Sequence, residues 1–325
     1  MSAKSVGQRL NLVFLGCGEI TEAHSRTLAS MGSPVRRFYA SRTPERSASY
    51  ERRLGGAGSY GCYEAAFADG RIDAAFIATP PASHLELTLR ALRSGKDVIV
   101  EKPAFLRARD FDQVGAAQLE TGRRVFVAEN YCYKPLALTL QAIVASGELG
   151  ELRFVHVNAV KSQWPAGWRD DPGQAGGGAL FEGGIHWIDL ISNVGPRVLS
   201  ASVFRCGDQV AAERSSVVVF AYQGGAVGTL FHSWEIHSHL RGLRLSRIYG
   251  TSGSLAFESN GVFVAVVGPK TRFLMPGLSD ISGHRAMFAD FLAALETGRE
   301  SLMTLERARR DVELVEAVCQ SEQES

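Results

Sequence analysis

Leu12-Val13-Phe14-Leu15-Gly16-Cys17-Gly18-Glu19-Ile20-Thr21 decides how the first part of this chain folds. Four apolar residues in a row suit a short strand buried on both faces. They run directly into Gly16-Cys17-Gly18, and a helical pattern follows from about residue 20 to 31. The first glycine permits a tight turn. The second lets the backbone come close to a ligand, whose negative charge would lie on the helix N-terminus. Thr21 stands where a third small residue is usual, so the helix is expected to sit slightly further from the strand.

Working outward, the same alternation repeats. Strands are expected at residues 35–40, 74–78, 97–100 and 125–128, and a helix at 85–92 with Gly95 just past its end. Repeated strand–helix–strand units imply right-handed crossovers and a parallel sheet covered on both sides. The expected fold class is therefore α/β: a doubly wound Rossmann domain over residues 1–131. Past Tyr131 the pattern changes. A helix is expected at 136–146, then strands at 152–161, 198–205, 215–222, 226–237, 244–250 and 262–267. Gln223-Gly224-Gly225 and Gly250-Thr251-Ser252-Gly253 read as hairpin turns between strands. Helical patterns at 281–297 and 305–320 finish the chain. Residues 132–325 are thus expected to form an α+β domain with a large, mainly antiparallel sheet.

In that context the glycine turn reads as a dinucleotide site, with Gly16, Gly18, Glu19 and Ile20 against the pyrophosphate. NAD binders usually carry an acid at the end of strand two. Here Tyr39-Ala40-Ser41-Arg42-Thr43 has none. Ser41 and the fork of donors on Arg42 suit a 2′-phosphate, so NADP is expected in preference to NAD.

Composition excludes several other classes. A formal net charge of +1 offers no global basic field for nucleic acid or an anionic membrane. No window approaches the ~18 apolar residues of a membrane span. The apolar N-terminal run is shorter than a signal segment, and a cytoplasmic location is expected. Five scattered cysteines, Cys17, Cys62, Cys132, Cys206 and Cys319, show no metal spacing and read as free thiols.

Three further segments carry a resemblance. Ala78-Thr79-Pro80-Pro81-Ala82-Ser83-His84 follows one strand and Glu101-Lys102-Pro103 the next. Gly176-Gly177-Gly178-Ala179-Leu180-Phe181-Glu182-Gly183-Gly184-Ile185-His186-Trp187-Ile188-Asp189-Leu190 lies in the second half. With the glycine turn and His24, their order and spacing resemble the glucose–fructose oxidoreductase / inositol dehydrogenase / rhizopine-catabolism (Gfo/Idh/MocA) family over nearly the whole chain. The resemblance implies nicotinamide-dependent oxidation or reduction of a sugar, inositol or related ring. It implies that Lys102 lies beside the nicotinamide and that His186 transfers the proton. It implies Asp four residues before that histidine, where this chain has Glu182. Trp168-Arg169 resembles an element that reaches the cofactor. The resemblance is also the main ground for expecting a homodimer or larger homo-oligomer, with one face of the second sheet covered by another copy.

The chemistry fits those residue types. Moving a hydride off a carbinol carbon requires removal of the hydroxyl proton, and a carbonyl oxygen needs a proton in reverse. Histidine titrates near neutrality. A lysine serves if burial and a neighbouring cation lower its proton affinity. On a helix, Glu182, His186 and Asp189 would share one face. Thr79, Pro80, His84, Glu101 and Lys102 occupy the carboxyl edge of the first sheet, where open α/β sheets bind ligands; for His84, capping its helix is an equal reading. Asn130, Tyr131, Tyr133 and Trp164 are candidates for substrate hydroxyls and the apolar face of a sugar. His232, His237 and His239 are given no chemical role. No third ligand at a telling spacing supports a metal at Glu182 and His186. Two other outcomes share these residues: an NAD-dependent glycosidase that oxidises transiently, and an idle dinucleotide-binding regulatory protein.

Overall fold

In the computed structural model, which describes residues 9–32, 34–164, 167–207, 213–237 and 242–320, the quoted stretch forms strand β1 (Leu10–Leu15), a turn and helix α1 (Glu19–Ser30). Leu12, Val13, Phe14 and Leu15 are all buried, because β1 lies in the middle of its sheet. Phe14 stacks between Tyr39 and Phe76 on the neighbouring strands, at 5.8 and 5.1 Å. Burying such a ring contributes roughly 1.5–3 kcal/mol.

The other strands of this sheet are β2 (Val35–Ala40), β3 (Gly58–Tyr60), β4 (Ala74–Ile77), β5 (Asp97–Glu101) and β6 (Val125–Ala128). All five pairings are parallel and the order is β3-β2-β1-β4-β5-β6, the arrangement of a dinucleotide-binding sheet. The crossovers carry α2 (Pro44–Leu54), α3 (Tyr63–Ala68), α4 (His84–Arg93) and α5 (Asp110–Thr121).

The chain divides into two compact units, Met1–Glu129 with His284–Ala308, and Asn130–Gly283 with Arg309–Ser325. The expectation that residues 132–325 form one domain is thus corrected for His284–Ala308. The cause is a set of aromatic contacts within the first unit: Phe288 packs on Phe76 at 6.1 Å, and Phe291 on Phe126 at 5.3 Å.

The second unit holds α6 (Pro135–Ala145), the one-turn α7 (Pro172–Ala175) and α8 (Ile185–Asn193). Its strands are β7 (Leu152–Val160), β8 (Val198–Arg205), β9 (Ser215–Tyr222), β10 (Val227–Ser233), β11 (Leu245–Gly250), β12 (Ser254–Glu258), β13 (Val264–Val267) and β14 (Arg272–Leu274). They form one eight-stranded sheet in the order β14-β13-β12-β11-β7-β10-β9-β8. It is antiparallel apart from β7 and β10, which run parallel. One face is buried, with Val155, Val157, Phe220, Leu230, Ile248 and Phe257 on it. Two helices end the chain: α9 (His284–Thr297), which belongs to the first unit, and α10 (Leu305–Gln320). The helix expected from residue 281 starts three residues later, because Gly283 sits at φ +77.

Candidate functional site

In the first unit, Gly16 takes φ +101, and a Cβ there would stand 2.6 Å from the carbonyl oxygen of Ala78. Only glycine fits. Gly18, the N-cap of α1, is different: nothing lies within 4 Å of where its Cβ would be. Its glycine leaves a clear space at the start of α1, which a phosphate can occupy. Thr21 does not loosen the turn. It is wholly buried, and its hydroxyl donates to the Gly16 carbonyl at 2.8 Å. Glu19 is exposed and Ile20 half-buried on the first turn of α1. These residues fit a dinucleotide: a glycine turn with no side chain over it, opening a helix.

Beyond β2, Ser41 is buried and its hydroxyl accepts from the Thr43 amide at 3.2 Å. Arg42 is exposed, and its charge acts on Tyr63. A second arginine, Arg46 on α2, acts on Cys17 in the glycine turn; burial still pushes that thiol up to about 11. Arg46 was not singled out from sequence, although it lies four residues past Arg42 on a helix opened by Pro44.

Thr79 and Pro80 are half-buried past β4, with the Thr79 hydroxyl 2.7 Å from that of Ser83. His84 proves to be a brace, with no exposed surface for a cofactor. Its Nε2 faces the Thr79 carbonyl at 2.8 Å and its Nδ1 the Pro103 carbonyl at 2.9 Å, which ties the loops after β4 and β5 together. Burial pushes its proton affinity down. Glu101 is buried as well, and its oxygens are engaged by the protein. His24 Nε2 lies 2.5 Å from Oε1, and the Lys102 amide donates to Oε2 at 3.1 Å. Burial pushes Glu101 up, but the hydrogen bond and charge of His24, with Lys102 and His284, hold it below the usual range. Lys102 itself is half-buried at the end of β5 and precedes a cis peptide to Pro103.

In the second unit, the helix expected through Glu182 and His186 begins as a π turn, Leu180–Gly184, before becoming α8. The α-helical stripe of Glu182, His186 and Asp189 is therefore interrupted, since a π turn bonds i to i+5. Gly183 explains the local shape: a Cβ there would come 2.6 Å from the Trp234 ring. Glu213 anchors the start, accepting the Ala179 amide on its backbone and the Leu180 amide on its carboxylate, both at 2.8 Å.

Glu182 is buried and receives Arg169 Nε at 3.2 Å. Arg169 lies over the Trp168 ring at 4.5 Å. The Trp168–Arg169 element, expected at the cofactor, thus holds Glu182. His186 is half-buried, and Asp189 is fully buried with Asn193 donating to its Oδ1 at 3.2 Å. Tyr131 stacks on His186 with ring centres 4.3 Å apart. Asn130 Nδ2 donates to the Ser282 carbonyl at 2.6 Å. Tyr133 is buried. Trp164 is exposed under the Arg214 guanidinium, 4.9 Å away.

His232 on β10, given no role from sequence, lies in the electrostatic field of Glu182, His186, Lys161 and Arg244. Burial, followed by the charge of Lys161, pushes it down to about 3, so it stays neutral. Its Nδ1 has no hydrogen-bond partner among the described residues. The signal was available: Leu230, His232 and Trp234 alternate on one face of a strand. His237 is exposed; His239 and the Cys319 side chain lie outside the described residues. Cys17, Cys62, Cys132 and Cys206 are in no disulfide among the described residues. Among the described residues no group of three metal-ligating side chains is placed to hold an ion, and no helix is long and apolar enough to cross a membrane.

Comparison with known proteins adds to this geometry. Residues 10–129 match the oxidoreductase family described by its NAD-binding Rossmann fold. Residues 137–256 match the GFO/IDH/MocA C-terminal domain. An uncharacterized oxidoreductase of Rhizobium meliloti, ORF334, is 27% identical over 305 residues, 87% of each chain. Levoglucosan dehydrogenase of Pseudarthrobacter phenanthrenivorans is 28% identical over 196 residues, 56% of this chain and half of that enzyme (50%). A solved levoglucosan dehydrogenase, in complex with NADH and L-sorbose, superposes with a TM-score of 0.87 over 98% of this chain and 97% of that one. At 20% identity that likeness speaks for the fold alone.

Proposed function

The chain belongs to the Gfo/Idh/MocA family of NAD-binding oxidoreductases, and on that premise we propose that it moves a hydride between NADP(H), in preference to NAD(H), and a carbinol carbon of a sugar, inositol or related polyol. The observation that carries the reading is the half-buried His186 one turn from Glu182, whose carboxylate is held by Arg169. When bound, the nicotinamide supplies or accepts the hydride. His186 takes the hydroxyl proton in oxidation and returns one in reduction. Lys102, just past β5, shares in that proton transfer and orients the reacting oxygen. Glu182, kept in place by Arg169, holds a neighbouring hydroxyl. The sugar-acting relatives support the substrate class.

The preference for NADP(H) rests on Ser41, Arg42 and Arg46, with no acid at the end of β2 to bind a 2′-hydroxyl. NADPH is expected to bind at least about tenfold more tightly than NADH, a difference of roughly 1.4 kcal/mol. Replacing Arg42 and Arg46 together by Ala should abolish that difference and leave NADH affinity unchanged. Nicotinamide fluorescence titrations measure both, and tighter NADH binding by the natural chain overturns the assignment. With the cofactor set, a panel of sugars, inositols and keto-sugars tests the reaction. Net NAD(P)H formation or consumption supports it. Release of a cleaved glycoside without net change in NAD(P)H points to transient oxidation, and cofactor binding without any turnover to an idle site.

The homo-oligomer is part of the same proposal. On the other face of the second sheet Phe154, Phe204, Phe231, Tyr249 and Phe273 are exposed, on β7, β8, β10, β11 and β14. Rings spread over that many strands exceed the scattered apolar residues of an ordinary monomer surface. A second copy, presenting the same face about a two-fold axis, matches it in chemistry. Light scattering should give twice the chain mass, and Phe231→Glu should return it to a monomer. A monomeric natural chain at working concentration rules the arrangement out.

A further inference from the structure

Tyr131 opens a one-turn 3-10 segment, Tyr131–Tyr133, just before α6. Its ring lies flat on the imidazole of His186, with the planes 11° apart and the centres 4.3 Å apart. The ammonium of Lys134 stands over the same ring, also 4.3 Å from its centre. One face of a phenol ring has no room for both groups at that distance, so they occupy opposite faces. Trp187 closes the edge of the ring at 5.0 Å and 83°, and the Arg244 guanidinium lies over Trp187 at 5.3 Å.

The turn that carries Tyr131 is pinned from behind. Asn130 donates to the Ser282 carbonyl. Gly283 sits at φ +77, where a Cβ would stand 2.6 Å from the Asn130 carbonyl oxygen and 2.8 Å from the Lys134 amide. Lys134 is only 6% exposed, so its ammonium cannot wander into solvent without leaving the ring. A cation on an aromatic face is held more strongly when water is excluded.

We propose that Tyr131 and Lys134 are positioning residues for His186: Tyr131 fixes the plane of the imidazole, and Lys134 clamps Tyr131 from its far face. The proposal rests on His186 being the proton-transfer group. Stacking covers one flat face of the imidazole and leaves its edge, where both nitrogens lie, for in-plane hydrogen bonds. A ring free to rotate about its side-chain bonds would present those nitrogens in the right direction only part of the time, and catalytic geometry is sensitive to displacements of about 1 Å. This differs from a role for the Tyr131 hydroxyl on substrate. Here the ring face matters and the hydroxyl does not.

The test uses the whole chain without substrate first. The His186 ring-proton signal is assigned by NMR as the one lost in His186→Ala. In the natural chain it should show the upfield displacement caused by a stacked ring. The displacement should persist in Tyr131→Phe, disappear in Tyr131→Leu and diminish in Lys134→Met. If Tyr131→Leu does not fold, the Lys134→Met and Tyr131→Phe spectra decide the matter. Identical His186 signals in the natural chain, Tyr131→Leu and Lys134→Met overturn the proposal. Turnover on the substrate found by the panel then separates the two readings. Tyr131→Leu should lose kcat roughly 10²-fold with NADPH affinity unchanged. A raised KM in Tyr131→Leu with unchanged kcat places Tyr131 on substrate only and overturns the positioning role. Full turnover by His186→Ala, with the stack present in the natural chain, removes the proton-transfer reading while the clamp stands.

Discussion

Lys102→Ala and His186→Ala are each expected to lower kcat/KM by roughly 10²- to 10⁴-fold, the range that a positioned proton-transfer group contributes. That corresponds to about 2.7–5.5 kcal/mol of lost transition-state stabilisation. Both side chains are half-buried. The Lys102 amide is held by Glu101 and the His186 ring by Tyr131. Truncation therefore removes a functional group without opening the core, and melting temperatures should stay within a few degrees. The losses should fall mainly on kcat for His186, which acts as the proton moves, and on both kcat and KM for Lys102, which also orients the oxygen. If the two act as a unit, the double variant should be little worse than the poorer single one. Steady-state kinetics of the three variants decide this. Near-normal turnover in both single variants removes the mechanism.

Gly16→Ala and Gly18→Ala should fail in different ways. At Gly16 the new methyl meets the backbone of Ala78, whose amide is bonded to the Leu15 carbonyl at 2.9 Å, so no flexible side chain can give way. The residue would also be forced to φ +101. A backbone conformation of that kind costs of order 1–3 kcal/mol, before the clash is counted. Gly16→Ala should melt clearly lower and bind neither dinucleotide. At Gly18 the backbone is extended, at φ −110, and the methyl would enter open space. Its melting temperature should match that of the natural chain. NAD(P)H affinity should nevertheless fall about tenfold or more, because the methyl takes the space left for the pyrophosphate. Thermal unfolding and nicotinamide fluorescence on the same samples provide both readings. Normal binding by Gly18→Ala means that the turn does not carry the cofactor.

Much of the first sheet was legible because β1, β4, β5 and β6 are short apolar runs, and such runs announce burial on both faces. The turn at Gly16 was legible for the same local reason. What sequence periodicity does not reveal is which sheet a helix will cover. The apolar face of α9, with Phe288 and Phe291, reads identically whether it packs on the first sheet or the second. Nor does spacing distinguish an α turn from a π turn. Glu182 and His186 are four apart in either case, and the close approach of Gly183 to Trp234 involves a residue some fifty positions away. His232 and Arg46 went unassigned because each acts through neighbours brought in by other elements. Tyr131 was singled out, but the use of its ring face on His186 depends on a partner 55 positions along the chain.

The return of α9 to the first unit bears on how this protein is made. During synthesis, β1 to β6 leave the ribosome well over a hundred residues ahead of Phe288 and Phe291. Until those rings arrive, the surfaces of Phe76 and Phe126 that they cover remain open to water. The unit translated first is therefore sealed late, and its folding waits for contacts of high sequence separation. A chain ending before α9 would lack the cover that Phe288 and Phe291 give Phe76 and Phe126.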